Sequence, residues 1–203
     1  MKTPLPDVTA IFSAFILVLC IQPSQAGSAT WDLNSSSGEW NTGTNWTPTT
    51  VPNGSVDIAT FALSNTTNVS ISANTEVNGI TFAAAATNPY TITASPTFTL
   101  ILSGTGITNN SGVTQNFETA VDGAANVGLI WFTNSATAGS HTTFTNNGAT
   151  ALNAQGRALG ASTQFYNNST AGNGSFITNG SAVSPLIPGG AQAMARLLTL
   201  VPL

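Results

Sequence analysis

Phe132-Thr133-Asn134-Ser135-Ala136-Thr137-Ala138-Gly139 recurs, at an offset of 33, as Phe165-Tyr166-Asn167-Asn168-Ser169-Thr170-Ala171-Gly172. The stretch that follows, Phe144-Thr145-Asn146-Asn147-Gly148, returns at an offset of 32 as Phe176-Ile177-Thr178-Asn179-Gly180, so one residue is lost between the Ala-Gly pair and the Phe. Aromatic, Ala-Gly and Asn-Gly positions keep their order in both copies. Each copy reads as short strand, turn, short strand, turn, because Phe alternates with small polar residues and the Gly and Asn positions accept positive φ. A period of tens of residues built this way is the mark of a stacked repeat.

Working outward, the same grammar continues with stronger strands. Asn68-Val69-Ser70-Ile71-Ser72, Val77-Asn78-Gly79-Ile80-Thr81-Phe82, Tyr90-Thr91-Ile92-Thr93 and Phe98-Thr99-Leu100-Ile101-Leu102 all alternate with period two. The one alanine run, Ala83 to Ala86, is stopped by Asn88-Pro89, and no 12-residue window before the tail carries a helical stripe. Gly104-x-Gly106 and similar pairs read as turn glycines, since no Lys-Ser/Thr follows them and they open no helix.

Composition narrows the choice further. The 203 residues include 32 Thr, 21 Asn, 20 Ser and 19 Gly, all mediocre or poor helix formers, and charged residues are only 5% of the chain. Three basic residues and a formal net charge of −4 exclude a phosphate-binding nucleic-acid surface. Stacked parallel strands explain both facts. Rungs about 4.8 Å apart satisfy each other's backbone, Asn and Thr stack as ladders, and like charges would repeat unfavourably along a column. The expectation is an all-β parallel β-helix of roughly 20 residues per rung, eight or nine rungs and a rod on the order of 40 Å long.

The two ends differ from the middle. Lys2, the apolar run Ile11–Ile21, Pro23 and Ser24-Gln25-Ala26 have the layout of a signal peptide over residues 1–26, cleaved after Ala26. Eleven apolar residues are too few for a membrane span, which needs roughly 20. Cys20, the only cysteine, lies inside that run, so residues 27–203 hold no disulfide and no Cys-ligated metal. Residues 27–184 form the repeat region, with a Trp-rich N-terminal cap over 27–66. From Pro185 the sequence turns apolar and loses Asn and Ser altogether. Two readings of this atypical tail, 185–203, stand open: a short apolar helix over Ala191–Leu200 that docks elsewhere, and an unrelated sequence after a lost reading frame. The second fits better with a repeat that stops midway, leaving the β-helix incomplete at its C-terminal end.

Phe165 to Gly180, of the form Phe-x-Asn-x-Ser-Thr-Ala-Gly-Asn followed by Phe-x-x-Asn-Gly, resembles the repeats of autotransporter-type passenger proteins of bacteria. Leu102 to Phe117 is similar to a segment near the start of such passengers. Trp31 to Phe61, with Trp40, Asn45-Trp46 and Pro52, looks like their lead-in. The resemblance covers most of residues 30–184 and implies a right-handed parallel β-helix carried at the cell surface. It also implies a C-terminal outer-membrane barrel or other sorting signal. No set of 9- to 11-residue strands here could build a barrel, so membrane attachment is expected only through an anchor or barrel missing from this sequence.

Candidate chemistry is sparse. Carboxylates after residue 26 are Asp32, Glu39, Asp57, Glu76, Glu118 and Asp122, and only Glu118 and Asp122 lie close together. On an extended strand these two share a face about 13 Å apart, too far to flank one glycosidic bond. Arg157 in Gln155-Gly156-Arg157 reads as a turn residue, and His141, the sole histidine, as a solvent-facing turn residue with no acid beside it in sequence. Trp31, Trp40, Trp46 and Trp131 could stack on sugars, but the first three, clustered near the N-terminus, read better as a plug for the open end there. Sequons such as Asn45-Trp46-Thr47 and Asn168-Ser169-Thr170 follow from composition.

The reading is therefore a secreted or bacterial cell-surface β-helix with a structural, adhesin-like role and no catalytic, cofactor-binding or metal residues. Its partners would be host or matrix surface glycans or proteins, with no nucleic acid and no small-molecule cofactor. The alternative is a polysaccharide-binding or pectin-lyase-like carbohydrate-active β-helix.

Overall fold

Period-two alternation becomes two-faced strands in the computed structural model, which describes residues 27–184. Among these residues twelve strands follow one another: β1 Ala29–Trp31, β2 Trp46–Thr47, β3 Gly54–Phe61, β4 Asn68–Ile71, β5 Thr75–Phe82, β6 Thr91–Ala94, β7 Thr99–Asn109, β8 Gln115–Thr119, β9 Leu129–Phe132, β10 Ser140–Asn146, β11 Ser162–Phe165 and β12 Asn173–Thr178. Among the described residues the one helical piece is a 3-10 turn, Gly43–Asn45. The signal-peptide reading of 1–26 and both readings of the tail 185–203 lie outside the described residues.

The strands form two sheets, ordered β11-β9-β7-β5-β3-β1-β2 and β12-β10-β8-β6-β4. Every pairing between these strands is parallel except that of β1 with β2. From β3 onward the chain visits the sheets alternately, and every strand except β4, which begins the smaller sheet, lies on the strand two before it. The fold is thus all-β and built on parallel sheets. In the smaller sheet the sequence offset between paired strands is 23 from Asn68 to Thr91, 25 from Thr91 to Asn116, 27 from Gln115 to Thr142 and 33 from Ser140 to Asn173. These offsets correct the expected spacing of roughly 20 residues per layer, because the loops lengthen toward the C-terminus. Six parallel strands in the larger sheet replace the expected eight or nine layers, and their stack is about 24 Å high rather than about 40 Å.

Alternation places one residue class inside. Val69, Ile92, Phe117, Phe144 and Phe176 occupy one inward column of the smaller sheet. Phe117 stacks on Phe144 at 4.9 Å and 15°, and Phe144 on Phe176 at 4.9 Å and 10°. Across the core, Phe132 stacks on Phe165 at 4.9 Å and 13°. The internal copy in the sequence is this stacking: Phe132 pairs with Phe165 and Phe144 with Phe176 in adjacent strands. The lost residue is visible too. His141 and Thr142 of β10 stand opposite Gly174 alone, and His141 absorbs the extra length with φ of 52°.

Gly104-x-Gly106 needs correcting. These are not turn glycines: both lie within β7, where the register against β5 shifts between Val77 and Gly79. Gly106 has φ of 80°, and a methyl there would collide with the Thr137 carbonyl oxygen of the next layer. Glycine keeps the strand running through a bulge that a side chain would close.

Candidate functional site

Asp122 and Glu118 are parted by local structure. Glu118 is on β8, half-buried on the outer face, and its Oε1 accepts a 2.6 Å bond from Asn147 Nδ2. Asn147 Oδ1 accepts in turn from Asn179 Nδ2 at 2.9 Å, so the carboxylate heads an amide ladder. Asp122 has left the strand. Its Oδ1 accepts from the Ala124 and Asn126 backbone N–H groups, each at 2.9 Å, and its Oδ2 from Asn126 Nδ2 at 2.8 Å. The Asn126 side chain, then the Asn126 and Ala124 backbone N–H groups, hold the Asp122 carboxyl below its usual range. The extended-strand geometry expected for this pair is therefore wrong.

The next layer shows what Asp122 does. Asn153 Oδ1 accepts from the backbone N–H groups of Gln155 and Arg157 at 3.0 and 2.9 Å. Val121 bridges Val127 antiparallel in the first loop, and Leu152 bridges Ala158 in the second. Ala125 and Gly156 hold the same positive-φ position, 62° and 69°. The two loops are copies, and an amide fills the role of the carboxylate. What both positions require is an oxygen acceptor that closes the turn. Arg157 is the exposed end of the second loop, as its turn reading expected.

Of the remaining carboxylates, Glu76 is half-buried on β5 and the other three have local partners of their own. Asp32 Oδ1 accepts from Thr47 Oγ1 at 2.6 Å, and Glu39 Oε1 from Ser70 Oγ at 2.7 Å. Asp57 is buried and accepts from the Asn53 N–H at 3.2 Å. Among the described residues no three His, Cys, Asp or Glu side chains gather in a metal-ligating group.

His141 is exposed, but it is a bulge residue within β10 rather than a turn residue. Its carbonyl accepts from Asn109 Nδ2 at 2.9 Å. It borders a shallow polar groove of about 360 Å³ lined by Thr114, Thr143, Asn173 and Ser175. These groups can donate and accept hydrogen bonds to a neutral ligand, and no acid stands among them.

The tryptophans divide sharply. Trp31, Trp40 and Trp46 are buried, and their indole N–H groups donate to the carbonyls of Thr66, Pro52 and Trp40 at 3.0, 3.0 and 2.7 Å. They pack edge-on to one another and against Phe61, so none can present a face to a sugar. Trp131 is different: half-buried on the outer face of β9, with Tyr166 edge-on at 5.6 Å. Its Nε1 is shielded from solvent and has no hydrogen-bond partner among the described residues. Asn45 of the first sequon is fully buried.

The most regular outward features are columns of hydroxyls and amides. On the smaller sheet, Asn68, Thr91, Asn116, Thr143 and Ser175 form one column, and Ser70, Thr93, Glu118, Thr145 and Ile177 its neighbour. On the larger sheet Thr47, Thr30, Thr60, Thr81 and Thr108 stand in register on five neighbouring strands. Sequence reasoning misses this threonine column. Its signal is the triplets Ala29-Thr30-Trp31, Ala59-Thr60-Phe61 and Ile80-Thr81-Phe82, hidden by spacings of 30 and 21.

No protein-family model matches the chain, and neither does any curated protein or solved structure.

Proposed function

We propose that this chain is a right-handed parallel β-helix of the autotransporter-passenger kind and serves as a structural, adhesive element, secreted or carried at the bacterial cell surface. The alternation of the chain between two parallel sheets supports the helix, and right-handed crossovers are the general rule for parallel strands. The observation that carries adhesion is the paired outward columns on the smaller sheet, two positions apart along each strand and repeated on five strands. Such an array, uncharged except at Glu118 and broken by Ile177, meets a surface glycan or protein through many weak hydrogen bonds, each worth about 1 kcal/mol. Its strength would come from number rather than from any single residue.

Beads coated with the full chain, drawn over films of matrix glycoprotein and of polysaccharide, test this reading. Thr93→Lys with Thr143→Lys should lower retention at least ~10-fold, or about 1.4 kcal/mol, with unchanged circular dichroism. Equal retention of both proteins would refute adhesion through this face.

Trp131 with Tyr166 favours a second reading, a polysaccharide-binding module, because Trp131 on the outer face of β9 and Tyr166 just past β11 form an outward aromatic pair. Binding to an insoluble glycan that Trp131→Ala removes, while the hydroxyl-column variant keeps it, would select that alternative.

A further inference from the structure

The outer face of the larger sheet carries a strip of threonines, one to a layer. Thr30, Thr60, Thr81 and Thr108 stand in register on β1, β3, β5 and β7. The next two layers continue the strip one column across: Gly106 bridges Thr137, and Thr137 bridges Thr170, both in parallel. The local order reverses where the column changes. Gly79-Ile80-Thr81 and Gly106-Ile107-Thr108 give way to Thr137-Ala138-Gly139 and Thr170-Ala171-Gly172. No side chain rises from these glycines between the threonines, and a methyl on any of them would press on atoms of a neighbouring layer. The strip spans six layers, about 24 Å.

Its hydroxyls are turned to solvent. Thr108 and Thr170 are exposed and the other four half-buried. Thr137 Oγ1 accepts from the Gly139 N–H at 3.2 Å and keeps its proton to donate. Among the described residues the hydroxyls of Thr30, Thr60, Thr81 and Thr108 have no protein partner, whereas Thr47 at the edge is tied to Asp32. Two positions past the four column residues stand Asp32, Ala62, Ala83 and Asn110, so Asp32 is the one carboxylate beside that column. The array is also stiff. Strands β1, β3, β5 and β7 are each hydrogen-bonded on both sides, and a β-branched side chain has few rotamers to explore. The smaller sheet differs, since its outward columns mix Asn, Ser and Thr with Glu118 and Ile177.

A threonine sets a hydroxyl, which bonds one water, beside a methyl, around which water keeps its own hydrogen bonds. A stiff row of them at about 4.8 Å holds those waters at a fixed repeat. That repeat lies within a few tenths of an ångström of the oxygen repeat along the basal axis of hexagonal ice. A dissolved ligand gains little from so long a regular row, whereas a crystal face meets every member of it at once. We propose that this threonine strip binds the surface of ice, holding water in the lattice of the crystal and fixing the protein to the growing front. The adhesive role, assigned to the other sheet, is not needed for it.

The test uses the full chain in a nanolitre osmometer and in slowly grown ice. A single crystal should stay faceted and stop growing below its melting point, and the protein should enter ice at least ~10-fold more than serum albumin does. Thr81→Lys with Thr108→Lys should bring both readings to the albumin level with unchanged circular dichroism, while Arg157→Gln on its exposed loop keeps them. Thr81→Ser with Thr108→Ser, which removes two methyls without loading the sheet, should lower uptake at least ~3-fold. Exclusion of the unaltered chain from ice to the same extent as albumin overturns the proposal, and so does equal uptake of the lysine variant. Retention on microcrystalline cellulose that the lysine variant loses, without uptake into ice, would assign the strip to a glycan and overturn it as well. Adhesion through the smaller sheet is read on separate films, so either reading can fail without the other.

Discussion

The two ends of the stack obey one alternation and reach opposite outcomes. At the first, Trp31, Trp40, Trp46 and Phe61 are all buried in a mutual cluster, and an antiparallel strand covers the edge. At the last, every residue of β11 is half-exposed and nearly every residue of β12 exposed. One inward column shows the drift, reading Ile71, Ala94, Thr119, Asn146 and Thr178 from first layer to last. Where it turns polar, the groups satisfy one another: Asn146 Oδ1 accepts from Thr119 Oγ1 at 3.0 Å and from Thr163 Oγ1 at 2.9 Å. The first half of the molecule is held chiefly by apolar burial, the second increasingly by hydrogen bonds within and between layers. Position in the stack, rather than residue type, decides how much a side chain contributes.

The sharpest way to break this comparison is a pair of truncations. Trp46→Ala should cost about 3–5 kcal/mol of unfolding free energy, since it empties a buried site ringed by aromatics. Phe176→Ala should cost less than half of that in the same urea titration, because its outer side is open. Equal costs would mean that the C-terminal end is covered as fully as the other. Gly106→Ala comes next, at about 2–4 kcal/mol, combining a positive φ with a collision against the Thr137 carbonyl. Thermal melting reads it, and a neutral result would mean that β7 can straighten its bulge.

Tyr90 tests the apolar half by pH. It is fully buried, and its hydroxyl donates to Ala62 O at 2.6 Å. Burial pushes the phenol up to about 12, against a smaller opposing effect of the Ser64 side chain. The unfolded chain then releases this proton first, near the ordinary tyrosine value, so the contribution is complete below that and lost as pH rises toward 12. The loss is on the order of 2 kcal/mol and should vanish in Tyr90→Phe when stability is measured from about pH 9 to 12. The smallest expected effect belongs to Asp122→Asn. Asn153 already does the same work one layer on, so the melting temperature at neutral pH should not move. The lowered Asp122 pKa stabilises the fold above the ordinary carboxylate range and is lost as pH falls through the depressed value. The Asn variant should lack that acid dependence.

Much of this architecture is legible in the sequence. The offsets of 33 and 32 between the Phe132–Gly148 and Phe165–Gly180 stretches are the pairing registers of β9 with β11 and of β10 with β12. Four alternating segments are the strands β4, β5, β6 and β7. Layer number is not legible, because loop length sets it and loops of variable length leave no period to count. The bulge glycines of β7 read as turn residues because a single chain cannot show that the neighbouring layer presses on Gly106. The Asp122–Asn153 equivalence escapes for a similar reason: the loops share hydrogen bonds and φ signs but few letters. Residue type groups Trp131 with the three buried indoles, although its place on an outward column separates it from them.

The hydrogen bonds of both sheets point along the stacking axis, which has a mechanical consequence. Tension applied between residues 27 and 184 loads the layers in series, so they separate singly and in turn rather than shearing together. The end with free edges yields first, and each separation releases the length of chain that divides one layer from the next. Counted along the smaller sheet, that length in sequence positions is 32 or 33 at the top, then 27, 25 and 23. At about 3.4 Å per residue the steps shorten from roughly 110 Å to roughly 80 Å. Under such a load the stack would give most readily, and by its longest steps, at the C-terminal end.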